Sequence, residues 1–156
     1  MASVALSTIG IKFGWATETS AGVRPNAFKQ IERCIAIGGI SLETDNIDVT
    51  PLESRYREYI AGLMDTGGAW SITFSNTTKL HEDWEELRQA SAQAKAAGLA
   101  TWAVVFVPNL GKSCYVTFEP GEIPLTDIAV SEALNAEISN TINAYKGWLD
   151  SIEPTE

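Results

Sequence analysis

At 156 residues, with 45% hydrophobic and 20% charged side chains, the chain is sized for one domain that builds its own core without disulfides or metals. Lys and Arg number 11 against 20 Asp and Glu, a formal charge of -9, so bulk electrostatics work against holding a phosphate backbone. No apolar run approaches the roughly 18 residues of a membrane helix, and residues 1–15 carry neither a charged leader nor a signal-cleavage pattern, so synthesis and retention in the cytoplasm are expected. In that reducing compartment the two isolated thiols, Cys34 and Cys114, read as small core residues.

Ile9, Ile11 and Phe13 alternate around Gly10 and Lys12 and predict a first strand over 9–13. Residues 16–26 have a loop composition, and Phe28 and Ile31 return as anchors, so residues 1–30 are a candidate N-terminal arm of the single domain 1–156. Ile35, Ile37, Ile40 and Leu42 predict a long strand over 34–43, bent at Gly38-Gly39 and paired with 45–50. Trp70, Ile72 and Phe74 alternate with Ser71, Thr73 and Ser75 in a further strand.

Between these strands, residues 53–68 fit neither a helical nor a strand period and exceed an ordinary hairpin turn. The stretch reads as a long inter-strand loop, yet Tyr56, Tyr59, Ile60, Leu63, Met64, Arg55 and Arg57 are residue types enriched in protein contacts and poor in disordered chains. A loop folded back on its own core is the plainer alternative.

From 79 to 97 the period becomes helical, with Leu80, Trp84, Leu87, Ser91 and Ala94 on one face. Thr77 or Thr78 is the candidate N-cap, acids are placed in the first turns, and Gly98 is the stop. The apolar run 101–107, the turn Pro108-Asn109-Leu110-Gly111 and the segment 113–118 predict a hairpin with a strand buried on both faces. Residues 123–130 and 133–142 suit strand and helix alike, and residues 147–156 read as a C-terminal tail. The expected fold class is therefore mainly β with one helix, a β-sandwich or barrel carrying a long inter-strand loop.

No catalytic or cofactor chemistry is indicated. The single histidine, His81, begins an acidic helix and reads as exposed or capping. Glu43, Asp45 and Asp48 lack the glycine and final glutamate of a calcium loop. Gly38-Gly39 and Gly67-Gly68 lack the signature of a phosphate cradle. Trp70, Trp84 and Trp102 lie on apolar faces as core rather than as a base-stacking platform, which needs interleaved Arg and Lys.

Ile47-Asp48-Val49-Thr50 followed by Tyr56-Arg57-Glu58-Tyr59-Ile60-Ala61-Gly62-Leu63-Met64-Asp65-Thr66-Gly67-Gly68, with Glu18-Thr19, Gly22, Arg24-Pro25 and Phe28 upstream, resembles the tail tube (major tail) proteins of bacteriophages with long non-contractile tails. The resemblance implies a tail-tube β-sandwich or barrel and tips residues 123–130 and 133–142 toward strand, although 131–146 lacks a clear strand alternation. It also implies a structural, non-enzymatic protein of the virion tail, phage or prophage, made in the host cytoplasm, without cofactor or membrane. Subunits of the family join into homohexameric rings by self-assembly, and the rings stack into a hollow tube for DNA ejection. The implied partners are further copies of the chain, tape-measure, tail-terminator and baseplate proteins, and double-stranded DNA that transits without specific binding.

The long loop is the family's inter-ring contact, which falls here on Arg55, Tyr56, Arg57, Tyr59, Ile60, Leu63 and Asp65, with Arg55 and Arg57 expected to meet acids of the adjoining ring. The N-terminal segment and the C-terminal tail are further candidate arms between rings. Glu43, Asp45 and Asp48 are the candidate lumen acids, where charge within a screening length of about 8 Å would keep DNA from sticking. The tube of a contractile injection or type VI secretion-like particle is the nearest alternative. A monomeric small-ligand β-barrel with a closed pocket is the other.

Overall fold

A computed structural model describes residues 5–156 of the chain; residues 1–4 of the candidate arm lie outside the described residues. Among the described residues nine strands and one helix follow in the order β1 (Lys12–Thr17), β2 (Lys29–Ile31), β3 (Cys34–Ile37), β4 (Glu43–Asp48), β5 (Tyr59–Asp65), β6 (Ala69–Ser75), α1 (Thr78–Ala96), β7 (Thr101–Phe106), β8 (Lys112–Glu119) and β9 (Asn135–Asp150). Seven strands form one antiparallel sheet in the order β2-β1-β7-β8-β9-β6-β3, and β4 and β5 form a separate two-stranded ribbon.

The large sheet buries both faces. On one side Phe13, Trp70, Ile72, Phe74, Val116, Phe118 and Ile138 make the main core, which α1 covers with Leu80, Trp84 and Leu87. Phe13 on β1 touches Trp70 on β6 with ring centroids 6.0 Å apart, so the sheet curls until its distant strands face each other. On the other side Phe28, Trp102, Val104 and Tyr115 make a smaller core, which explains why the run over β7 lacks alternation.

The helix follows its local signals. The Thr77 side chain accepts from the Leu80 amide at 3.2 Å, Gly98 adopts a positive φ of 77°, and the buried positions are Leu80, Trp84, Leu87, Ser91 and Ala94, as the spacing predicts. The expected acids come one turn late, because Thr78 to His81 fill the first turn and Glu82 and Asp83 follow. The three predicted core tryptophans are each at most 3% exposed. Their indole N–H groups donate to the Gly38 carbonyl, the Gly121 carbonyl and the Glu18 carboxylate.

Four strand expectations change. The first strand begins at Lys12 rather than Ile9, because Gly10 turns at φ 85° and leaves Ile9 exposed. The long bent strand over 34–43 is two strands with different partners: β3 pairs with β6, while Glu43 opens β4, which pairs with β5. Gly38-Gly39 marks the parting, where the Gly38 backbone lies so close to β6 that an added Cβ would sit 2.7 Å from the Ser71 carbonyl oxygen. The middle stretch 53–68 is not a loop throughout, since Tyr59–Asp65 is a strand. Residues 123–130 have no regular structure, whereas β9 starts within the expected 133–142 and runs eight residues past its end to Asp150, through Gly147 and Trp148 of the expected tail.

Candidate assembly surface

The β4–β5 ribbon stands apart from the large sheet, with Glu43 opposite Asp65 at its base and Asp48 opposite Tyr59 toward its tip. It leaves the body through one glycine pair, Gly38-Gly39, and returns through the other, Gly67-Gly68, whose φ angles of 81° and 76° suit glycine. Asp65 fixes the return: its Oδ1 accepts from the Gly67 amide at 2.8 Å, and the Gly68 carbonyl accepts from the Ile142 amide at 2.9 Å.

Polar bonds shape the tip. Asp48 Oδ1 accepts from the Thr50 amide at 2.9 Å and from its hydroxyl at 2.6 Å. The Thr50 hydroxyl oxygen accepts in turn from the Glu58 amide at 2.8 Å, and the Val49 amide donates to the Glu58 carbonyl at 2.9 Å. Arg57 closes the set by an ion pair with Asp48 at 2.8 Å. The Thr50 bonds, chiefly the hydroxyl, together with Arg57 hold the Asp48 carboxyl below the usual aspartate range. Arg57 is therefore paired within its own chain, where an acid of the adjoining ring was expected as its partner.

The ribbon exposes apolar side chains among its charged ones. Tyr56 is 82% exposed at the tip and Leu63 84% exposed on β5, with Ile47, Tyr59, Ile60 and Met64 also open to solvent. Single exposed apolar side chains are ordinary on a protein surface, but here they gather on one two-stranded ribbon. Arg55 sits among the exposed tip residues, and Asp65 serves the turn at the base. Glu43, Asp45 and Asp48 all lie on β4, so the structure brings the two predicted groups together on one ribbon. Sequence reasoning passed over Leu52, which is fully exposed at the tip, and the unstructured segment after β8, where Leu125, Ile128 and Val130 are exposed. An apolar residue between Pro51 and Glu53 was the available signal for the first.

The inside of the curled sheet is filled. Phe13 meets Phe74 and Phe118 at centroid distances of 5.8 and 6.3 Å, and Trp70 meets Phe118 at 6.2 Å. His81 is exposed and hydrogen-bonds the Asn76 side chain, as a surface residue would. Both thiols are free and half-buried, and burial pushes Cys34 up to about 11.

No protein-family model and no curated protein matches the sequence. Solved structures do match, over almost the whole chain. A chain of the six-fold symmetrised baseplate of the anti-feeding prophage aligns with a TM-score of 0.60 at 13% identity, over 96% of this chain and 98% of that one. A chain from the tail of an empty gene transfer agent particle with C6 symmetry aligns at 0.56 and 17% identity, over 95% and 100%. The SPP1 tail tube aligns at 0.55 and 12% identity, over 96% and 81%. The chain has the tail-tube fold. The fold class read from the sequence, mainly β with one helix in the tail-tube manner, is the one observed.

Proposed function

We propose that this chain is the repeating structural subunit of a hollow tail tube, in which six copies close into a ring and rings stack through the β4–β5 ribbon. The observation that carries the reading is the ribbon itself: a preformed two-stranded arm whose apolar side chains find no cover in their own chain. Two of the similar structures are six-fold symmetric assemblies, which supports six as the ring number. Closure of a ring removes free sheet edges, and head-to-tail stacking leaves growth open until a cap stops it.

In this reading Tyr56, Tyr59, Ile60 and Leu63 anchor the next ring, joined by Leu52 and Met64. Arg55 is left to meet an acid across the joint, while Arg57 and Asp65 stiffen the ribbon from within. Glu43 and Asp45 are the better candidates for lumen charge, because Asp48 is already neutralised by Arg57. The negative chain lets double-stranded DNA pass without binding, and the subunit has no catalytic role or cofactor. Its partners are its own copies, a baseplate, a tape-measure protein and a tail terminator. The site of action is the virion tail, reached from the host cytoplasm.

Similarity to a prophage baseplate chain favours a second reading, the tube of an injection particle with other cargo. A small-ligand barrel is disfavoured, since aromatic rings occupy the space such a ligand would need.

Negative-stain electron microscopy of the purified chain at high concentration tests the proposal, beside a variant in which the ribbon is excised between Gly39 and Gly67. Hollow tubes from the intact chain, reduced to single rings or free subunits by the excision, are expected. A folded intact chain that stays monomeric at every concentration would defeat it.

A further inference from the structure

After β9 the chain turns back and crosses the sheet on the face away from α1. The Tyr115 hydroxyl donates to the Asp150 carbonyl at 2.7 Å and accepts from the Ile152 amide at 3.0 Å, and Ile152 packs on the smaller core. Pro154 is buried against β1 at Gly14, where an added Cβ would fall 2.6 Å from the proline Cβ. Lys12 and Glu153 form an ion pair at 2.6 Å. Thr155 then reaches the outer side of β2: its carbonyl accepts from the Gln30 amide at 2.8 Å, its amide donates to the Phe28 carbonyl at 3.0 Å, and it lies parallel to Lys29.

The two ends of the large sheet thus differ. Among the described residues β3 ends it with no strand beyond, while β2, only three residues long, has its outer edge taken by Thr155. We propose that residues 151–156 form a detachable strap that keeps the β2 edge from pairing with a second copy of this chain, so that strap release sets when subunits join.

The physics of edges supports this. A bare strand edge is a template for any other chain, and a strand added to it gains backbone hydrogen bonds at once. A subunit with both sheet ends open would associate as soon as it folded. Here one end is open, and the other is covered by a strap rooted at Ser151 and Ile152 on the smaller core, whose reach over the β2 edge itself is held by two backbone hydrogen bonds of Thr155, one solvent-exposed ion pair and a seated proline. Exposed ion pairs hold weakly and single hydrogen bonds modestly, so a neighbour's strand can outcompete the cover. The inference rests on the ring reading above, because only edge-to-edge closure requires the covered edge.

Two full-length variants test it. Thr155→Pro deletes the amide that bonds Phe28 and leaves the core intact, and Gly14→Ala places a methyl in the proline seat. Exchange at the Gln30 amide reads whether the strap is off, and sedimentation velocity at matched concentration reads association. Both the exchange and the association rate should rise on the order of tenfold over the unmodified chain. Faster Gln30 exchange with unchanged or slower association would overturn the proposal, as would unchanged Gln30 protection in both variants. The ring reading is judged separately, by tube geometry of the intact chain in the microscope, whereas the strap is judged by the ratio of variant to unmodified association.

Discussion

Phe13 and Phe74 meet edge to face with ring centroids 5.8 Å apart, although three strands separate β1 from β6 in the sheet. At about 4.8 Å per strand, a flat sheet would hold them roughly 19 Å apart. Their contact therefore measures the curl that makes one interior out of seven strands.

Phe74→Ala removes one side of that contact from a position with no solvent exposure. A loss of about 3–5 kcal/mol is expected from transfer and cavity terms together. Urea unfolding of the free subunit measures it, and a loss below about 1 kcal/mol would mean that something other than these rings sets the curl.

Leu63→Asp and Tyr59→Asp should behave in the opposite way. Both side chains are exposed on the ribbon, so stability should stay within about 0.5 kcal/mol of the unmodified chain. If the ribbon forms the joint proposed above, assembly into tubes should be lost, because a charge would be buried there without a partner. Unchanged tube formation by both variants would remove the ribbon from the joint.

The ribbon tip should be acid-sensitive. Asp48 is held below its ordinary range by the Thr50 hydroxyl and amide and by Arg57. A lowered folded-state value means that the tip is fully stabilised above the ordinary aspartate range and loosens as pH falls through the depressed value. Exchange at the Thr50 amide, corrected for its intrinsic pH dependence, should accelerate there. Asp48→Asn should show much of that loosening already at neutral pH.

The strap should respond with the other sign. The Glu156 carboxyl is pushed up chiefly by the neighbouring Glu32 carboxyl, with Asp83 on α1 adding repulsion and Lys79 opposing it, while Glu32 is lowered by Glu156, Lys79 and Arg33. A raised value contributes stability that is present below the ordinary glutamate range and lost as pH rises through the raised value. Gln30 amide protection, corrected for intrinsic rates, should therefore weaken as pH rises through that window. The Glu156→Gln variant, which cannot ionise, should flatten the dependence.

Much of the fold could be read from residues whose two faces differ. Trp70, Ile72 and Phe74 alternate because β6 has a buried and a less buried side, and α1 shows its stripe because one face meets the core. The ribbon escaped for the complementary reason: β5 is exposed along nearly its whole length, so burial imposes no alternation on Tyr59 to Asp65. β9 alternates well from Asn135 to Ile142, but its inward set includes Ala136 and Asn140, which a helix would accept equally. The surface was legible in type rather than in form. Tyr56, Tyr59, Ile60 and Leu63 stood out by composition and are exposed, while the pairing of Arg57 with Asp48 and the placement of the acids on the same ribbon needed the fold. The strap's hold on the β2 edge could not be read, because Lys12, Gly14 and Gln30 lie more than 100 residues away from it.

β9 divides its pairing along its length: its first half runs with β6 and its second with β8, and only Thr141 faces a partner in both. In the sheet's pairing order, the panel ending in β3 and the panel ending in β2 are thus joined end to end along one covalent strand rather than side by side. Tension along β9 would load seven paired positions with β6, or eight with β8, all at once in shear. The sheet should resist a lengthwise pull far better than a sideways peel.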